Sequence, residues 1–394
     1  MSLPPAPSPP RYASLDLWRG IACLMIVIGH SAHSLGSAWA TDWLTSIVQF
    51  AISKFGIGVP IFFVVSGYCI AATSDSIRTG SRASADFFYR RFRRIFPPYW
   101  AAASFSMVMV VVLSAAGHRE LVSLDYGFLP HPAELSLSQW LGNVTLTETW
   151  RPHLFGSPEL KILGPAWTLC YEEQFYAVCG LILIFARRRF FGVAALMTGL
   201  CVIIAPLGFV RPELPIRGFF LDGRWLMFAE GLAVYYAIHL APARRTWVAA
   251  FAAALILAAG VRWGIPSVTA NVEWRAHALD LVASTAFALG ILLLHPWDER
   301  IARLPVTRPF AYLGRMCYSL YLIHWPITVM VTAFCYREDV RGPWPTLLIV
   351  VPLSVGLSIA TAYVFHILVE RRFLGRTGRA GGVAKRGWSF GVAS

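Results

Sequence analysis

The stretch "RGIACLMIVIGHSAH", Arg19 to His33, opens an apolar run with an arginine and interrupts it with His30. A histidine inside hydrocarbon is costly to bury without a hydrogen-bond partner or a chemical role. Arg19 and His30 are eleven residues apart. At about 100° per residue the two fall nearly on one face of a helix, roughly 16 Å apart along its axis.

Runs of this kind recur along the chain. Of 394 residues, 57% are hydrophobic and only 14% charged, with a mean hydropathy of +0.58. That balance excludes an ordinary soluble domain. A bilayer core of about 30 Å needs about 20 apolar residues per helical span. The expected fold is therefore all-α, a polytopic membrane helical bundle. About ten transmembrane helices are expected, near 17–36, 57–72, 95–115, 167–186, 192–209, 218–239, 247–262, 276–294, 312–334 and 345–368.

The net charge of +13 needs no nucleic acid to explain it. With both termini in the cytoplasm, 22 Lys and Arg residues fall on the inner side and 10 on the outer, as the positive-inside rule requires. The lead "MSLPPAPSPP" lacks the basic and apolar regions of a signal peptide, so residues 1–13 read as a disordered cytoplasmic N-terminus. Residues 371–394 read as a basic cytoplasmic tail, and 14–370 as the membrane domain. One outer loop, about 116–166, is long enough to have a task of its own. The seven cysteines show no CxxC or Cys/His spacing, so neither a metal site nor disulfides are expected. The absence of an internal repeat argues against an inverted-repeat transporter.

Depth along the helices sorts the intramembrane polar residues. His30, Ser66, Glu172, Glu173, Asp222, Arg224 and His324 fall in one layer, roughly in the outer half, drawn from five spans. Each has a plainer reading. A membrane histidine can simply bond a neighbouring helix, Ser66 can pack a helix contact, and the run Arg90, Arg91, Arg93, Arg94 can be only a topology signal.

Five motifs occur in order: "LDLWRGIACLMIVIGH", "GVPIFFVVSGYCI", "FFYRRFRRIFPPYW", "WTLCYEEQFY" and "YSLYLIHWP". Together they resemble the acyltransferase 3 family of bacterial integral-membrane O-acyltransferases, over about Ser14 to Glu370. The resemblance implies transfer of an acyl group, usually acetyl, from cytoplasmic acyl-CoA to a hydroxyl of an envelope carbohydrate. The setting it implies is the bacterial inner membrane. Its partners would be the bilayer, the carbohydrate acceptor and acetyl-CoA as donor substrate, with no permanently bound cofactor. The family's arginine and histidine match Arg19 and His30, and its basic motif matches Arg90, Arg91, Arg93 and Arg94. Its Trp-Ser-Leu-x-x-Glu motif matches Trp167 to Glu172, with Thr168 in place of serine. Its frequent Glu-x-Pro reads Glu370–Arg371–Arg372 here, a departure. Some members carry a C-terminal esterase-like domain, and the 24 residues after Glu370 would not hold one.

Acyl transfer to an alcohol needs a base for the hydroxyl proton and donors for the developing oxyanion. His30 is the expected base, with Glu172 orienting its imidazole and Arg19 stabilising the oxyanion or holding the donor. Arg90, Arg91, Arg93 and Arg94 are expected to bind the phosphates of acyl-CoA. Ser66, Tyr68, Trp167, Glu173, Tyr318 and His324 are expected to line the site. A two-step route through a Ser66 or His30 acyl intermediate stays open. The outer loop is expected to select the acceptor. The alternative function is a proton-coupled transporter or exporter of a small solute, which would also place His and Glu at depth.

Overall fold

A computed structural model of the protein describes residues 12–32, 42–80, 84–124, 127–156, 158–210, 216–249 and 272–374. It is a bundle of helices. We label α1 (Leu15–Ala32), α2 (Trp43–Ser53), α3 (Gly58–Thr79), α4 (Ala85–Ala115), α5 (Leu137–Val144), α6 (Trp167–Phe185), α7 (Phe190–Val210), α8 (Arg224–His239), α9 (Val272–Leu294), α10 (Arg308–Arg315), α11 (Cys317–Arg337) and α12 (Val351–Phe365). Among the described residues, eight helices are long and apolar enough to cross a membrane. A ninth span results if α8 and the helix Pro242–Ala249, bent by 116°, are counted as one. The chain is a multi-pass membrane protein. The expected span 247–262 lies largely outside the described residues, as do the termini beyond residues 12 and 374.

Several boundaries move outward from the hydropathy reading. The third span starts at Ala85, not 95, because the arginine run continues the helix into polar surroundings. The last span is flanked by two π-helical turns, Thr346–Val350 and His366–Glu370. An unanticipated helix, α2, carries exposed Trp43, Ile47 and Phe50, an apolar face suited to lipid. The described residues of the segment 116–166 are folded into short elements. The segment holds a two-stranded antiparallel ladder with Ser123 opposite Phe128. It also holds α5 with a Ser136–Gln139 capping box and a buried Glu148–Arg151 pair at 2.9 Å.

Two backbone crossings set how the bundle is rotated. α1 crosses α10 with Gly20 against the Phe310 carbonyl and Gly314 against the Asp16 carbonyl. α3 crosses α8 with Gly67 against the Phe228 carbonyl and Gly231 against the Val64 carbonyl. A Cβ built on Gly67 or Gly231 would sit 2.0 Å from those oxygens, so no rotamer change relieves the clash. Small residues let membrane helices approach this closely. The neighbouring core is aromatic, with Phe63, Phe175, Trp225 and Phe228 mutually packed.

These contacts predict that Gly231→Leu destabilises the protein by about 3 kcal/mol or more, since overpacking against backbone cannot relax. Gly192→Leu, at a site with open space around it, should unfold within a few degrees of wild type. Thermal unfolding of both variants in detergent checks the difference.

Candidate active site

His30 on α1 meets His324 on α11. Their Nδ1 and Nε2 atoms are 2.9 Å apart, and the rings lie parallel to within 5° at 5.2 Å. His324 is fully buried, and its Nδ1 lies 3.1 Å from the Leu320 carbonyl. A carbonyl can only accept, so His324 Nδ1 carries the proton and its Nε2, in a neutral ring, accepts. His30 Nδ1 must then donate, which leaves the lone pair of His30 on Nε2. One backbone carbonyl thus sets the tautomer of both rings. Trp325 stands edge-on to His30 at 5.3 Å and packs against Gly164, where a Cβ would come within 2.9 Å of its indole.

The partner expected for His30, Glu172, is elsewhere. Its carboxylate accepts from Tyr176 at 3.0 Å, and Tyr176 in turn lies 3.0 Å from Ser66. The reading in which Glu172 orients the imidazole is therefore corrected: His324 fills that position. The depth argument located both groups in one layer but carried no information on rotation about the helix axis. Arg19 is also apart from His30 and pairs with Asp16 at 3.4 Å.

The arginine run divides by face. Arg91 and Arg94 are half-buried, whereas Arg90 and Arg93 are exposed. Residues three apart share a helix face, and only one face of α4 looks into the bundle. Arg91 donates to Thr73 Oγ1 at 3.2 Å and lies over the Tyr176 ring at 5.1 Å. Arg91 and Arg94 are the cations facing Glu172. Glu173 is buried beside Glu172, with Oε1 lacking a hydrogen-bond partner among the described residues.

A seam joins the imidazoles to these arginines. α11 contributes His324, Tyr321 and Tyr318, at spacings of three. α6 contributes Thr168, Glu172 and Tyr176, at spacings of four. Both spacings line one face of a helix. The Tyr321 hydroxyl donates to the Pro165 carbonyl and lies 2.8 Å from Thr168 Oγ1. Tyr318 donates to the Ile95 carbonyl at 2.8 Å, next to Arg94. Tyr176 and Tyr321 were not singled out from the sequence, and Thr168 was noted there only as a departure from the motif's serine. Their signal was their helical spacing from Glu172 and His324.

Two expected lining residues belong to other clusters. Tyr68 bonds His239 at 2.8 Å, beside Tyr12 and Tyr235. Trp167 lies under the Arg224 guanidinium at 5.2 Å, and Arg224 pairs with Asp222 at 2.7 Å, whose carboxylate also takes the Tyr171 hydroxyl. Near this second cluster, outside the spans, burial and the Arg217 charge hold His153 below the usual imidazole range. Glu230 on α8, a further intramembrane carboxyl that sequence reading passed over, accepts from Thr285 at 2.5 Å. A groove of about 370 Å³ between α4 and α5, lined by Tyr99, Trp100, Met107 and Trp140 among others, shares no residue with the seam. Among the described residues no cluster of His, Cys, Asp and Glu could hold a metal ion.

A family model described as an acyltransferase domain matches residues 12–363. The O-acetyltransferase OatA of Staphylococcus aureus is 25% identical over 84% of this chain and 53% of its own length. A Komagataeibacter xylinus protein with the provisional name membrane-bound transacylase BcsY is 25% identical over 98% of this chain and 89% of its own. A Bacillus subtilis protein, provisionally named peptidoglycan O-acetyltransferase YrhL, is 28% identical over 81% of this chain and 49% of its own. The chain thus spans about half the length of two of these relatives. No solved structure matches it.

The tautomer assignment predicts that nitrogen NMR of histidine-labelled protein shows His30 and His324 as neutral rings protonated at Nδ1. Loss of the signals at His324→Ala and His30→Ala identifies them. A ring of His324 protonated at Nε2 instead contradicts the assignment.

Proposed function

The chain belongs to the acyltransferase family matched over residues 12–363, and on that premise we propose that it is a membrane O-acyltransferase that moves an acetyl group from acetyl-CoA to a hydroxyl of an envelope or secreted carbohydrate. The observation that carries this reading is the seam with the basic His30–His324 pair at one end and the inward-facing Arg91 and Arg94 at the other. The relatives' names, O-acetyltransferase and transacylase, point the same way. By the arginine bias the Arg91 end faces the cytoplasm, where acyl-CoA is found.

In this mechanism Arg91 and Arg94 hold the donor's phosphates, for which planar guanidinium groups are suited. The extended pantetheine arm follows the Tyr318–Tyr321 face towards His30. His30 Nε2 takes the proton of the acceptor hydroxyl as its oxygen attacks the thioester carbonyl. The C–S bond breaks, an ester C–O bond has formed, and the CoA thiolate recovers the proton from His30. The Thr168 hydroxyl is the donor along the seam for the oxyanion, and Arg19, nearer the cytoplasmic end of α1, helps hold the acyl donor. His324 keeps His30 in the tautomer that this role requires. The folded outer segment supports acceptor selection, because its last turn, Gly164–Ala166, touches both Trp325 and Tyr321.

His30→Ala should reduce acetyl transfer to acceptor by about 10²- to 10⁴-fold, the usual worth of a general base, with expression and thermal stability near wild type. Labelled acetyl-CoA and purified protein with an isolated envelope glycan measure it. Wild-type turnover in the variant would remove His30 from the base role.

The division of the arginine run gives a second test. Arg91→Lys with Arg94→Lys should raise the KM for acetyl-CoA by about tenfold, from loss of bidentate phosphate contact. Arg90→Lys with Arg93→Lys should leave it unchanged. Equal KM values for the two double variants would rule out phosphate recognition by the inward pair.

A further inference from the structure

Trp325 follows His324 on α11 and lies four residues after Tyr321, a spacing that keeps it on the face of the seam. Its indole stands 5.3 Å from the His30 ring with the two planes 78° apart. The ring also packs against Val110 of α4 and against Val122 and Leu129 of the outer segment. Trp325 is thus clamped between the proposed proton acceptor and the segment that leads into α6.

Its N–H is unmet. Trp325 Nε1 is buried and makes no hydrogen bond among the described residues, and among them it is the one indole nitrogen of which this holds. Trp18 donates to Ser14 Oγ at 3.1 Å, Trp100 to the Val144 carbonyl at 2.9 Å and Trp225 to Thr198 Oγ1 at 3.0 Å. A buried indole normally finds such a partner, because an unmet donor costs its desolvation without return. A catalytic role is one of the few explanations for a polar group kept unsatisfied in a packed interior. Room for a partner exists. Gly164 faces the same edge of the ring, and a Cβ built on it would stand 3.1 Å from Nε1. With glycine there, that space is left to another atom, at the distance where an oxygen accepts from an N–H.

The neighbouring hydroxyls are already engaged. Tyr321 has one hydroxyl proton and gives it to the Pro165 carbonyl. Thr168 Oγ1, 2.8 Å from the Tyr321 oxygen, is therefore the donor of that contact. Thr168 reaches an oxyanion only by leaving Tyr321, whereas the indole N–H has no bond to give up.

We propose that Trp325 is a catalytic residue whose Nε1–H donates to the acyl carbonyl oxygen as that oxygen becomes negative. The inference rests on the acyl-transfer reading above and adds a donor to it. As the acceptor oxygen adds to the thioester carbonyl carbon, the C=O π pair moves onto the carbonyl oxygen, where the N–H meets it. The pair returns as the C–S bond breaks and the ester carbonyl forms. The indole keeps its proton throughout.

The test is steady-state acetyl transfer from acetyl-CoA to isolated envelope glycan by purified full-length protein in nanodiscs. Trp325→Phe is expected to lower kcat by about 10²- to 10³-fold, the usual worth of one oxyanion donor, with KM for acetyl-CoA within about twofold. That pattern marks an interaction made only in the transition state. Replacing Trp325 by benzothienylalanine, which keeps the shape of the ring and puts sulfur where the N–H stands, should cost the same. Gly164→Ala, which fills the space beside the N–H and keeps the indole, should also lower kcat, by about tenfold or more on the same scale. A role in packing alone predicts wild-type kcat in the benzothienylalanine protein. That result overturns the proposal, and it decides the matter even if Trp325→Phe does not fold. Wild-type protein that transfers no acetyl group would instead overturn the acyl-transfer reading, and the role of Trp325 with it.

Discussion

Charge in hydrocarbon has to be matched, and this constraint organises the interior of the protein. An unpaired ion in the membrane costs several kcal/mol, and several of the buried charges draw partners from other helices. Arg91 is set among Tyr176, Thr73 and Glu172. Asp222 takes Arg224 and Tyr171 together. The links join α1, α3, α4, α6 and α11 into one polar seam inside an otherwise apolar bundle. A helix rotated by one residue would break several of them at once.

The histidine pair follows the same rule without charge. Two imidazoles in contact with each other, both neutral, are satisfied when one donates and the other accepts. The Leu320 carbonyl decides which. That choice places the lone pair of His30 on Nε2.

Close packing supplies the precision. The glycine crossings of α1 with α10 and α3 with α8 leave no space between backbones. They fix the rotation of α1, which carries Arg19 and His30, and of α3, which carries Ser66. The polar seam and the glycine contacts therefore constrain the same helices from two sides.

Much of this was legible in the chain itself. Apolar run length against bilayer thickness determined a multi-pass helical bundle, and the motifs in order pointed to the acyltransferase family. His30, His324, Glu172 and the arginine run were visible because ionisable residues are conspicuous among apolar ones. Periodicity within a helix is local and survives in sequence. Partnership between helices is not: it depends on crossing angle and rotation, which arise from contacts hundreds of residues apart. Only the tertiary structure could assign His324 instead of Glu172 to His30 or separate Arg91 and Arg94 from Arg90 and Arg93. The same holds for moving Tyr68 to another cluster. A side chain's partner is decided by which neighbour the packed backbones bring within reach.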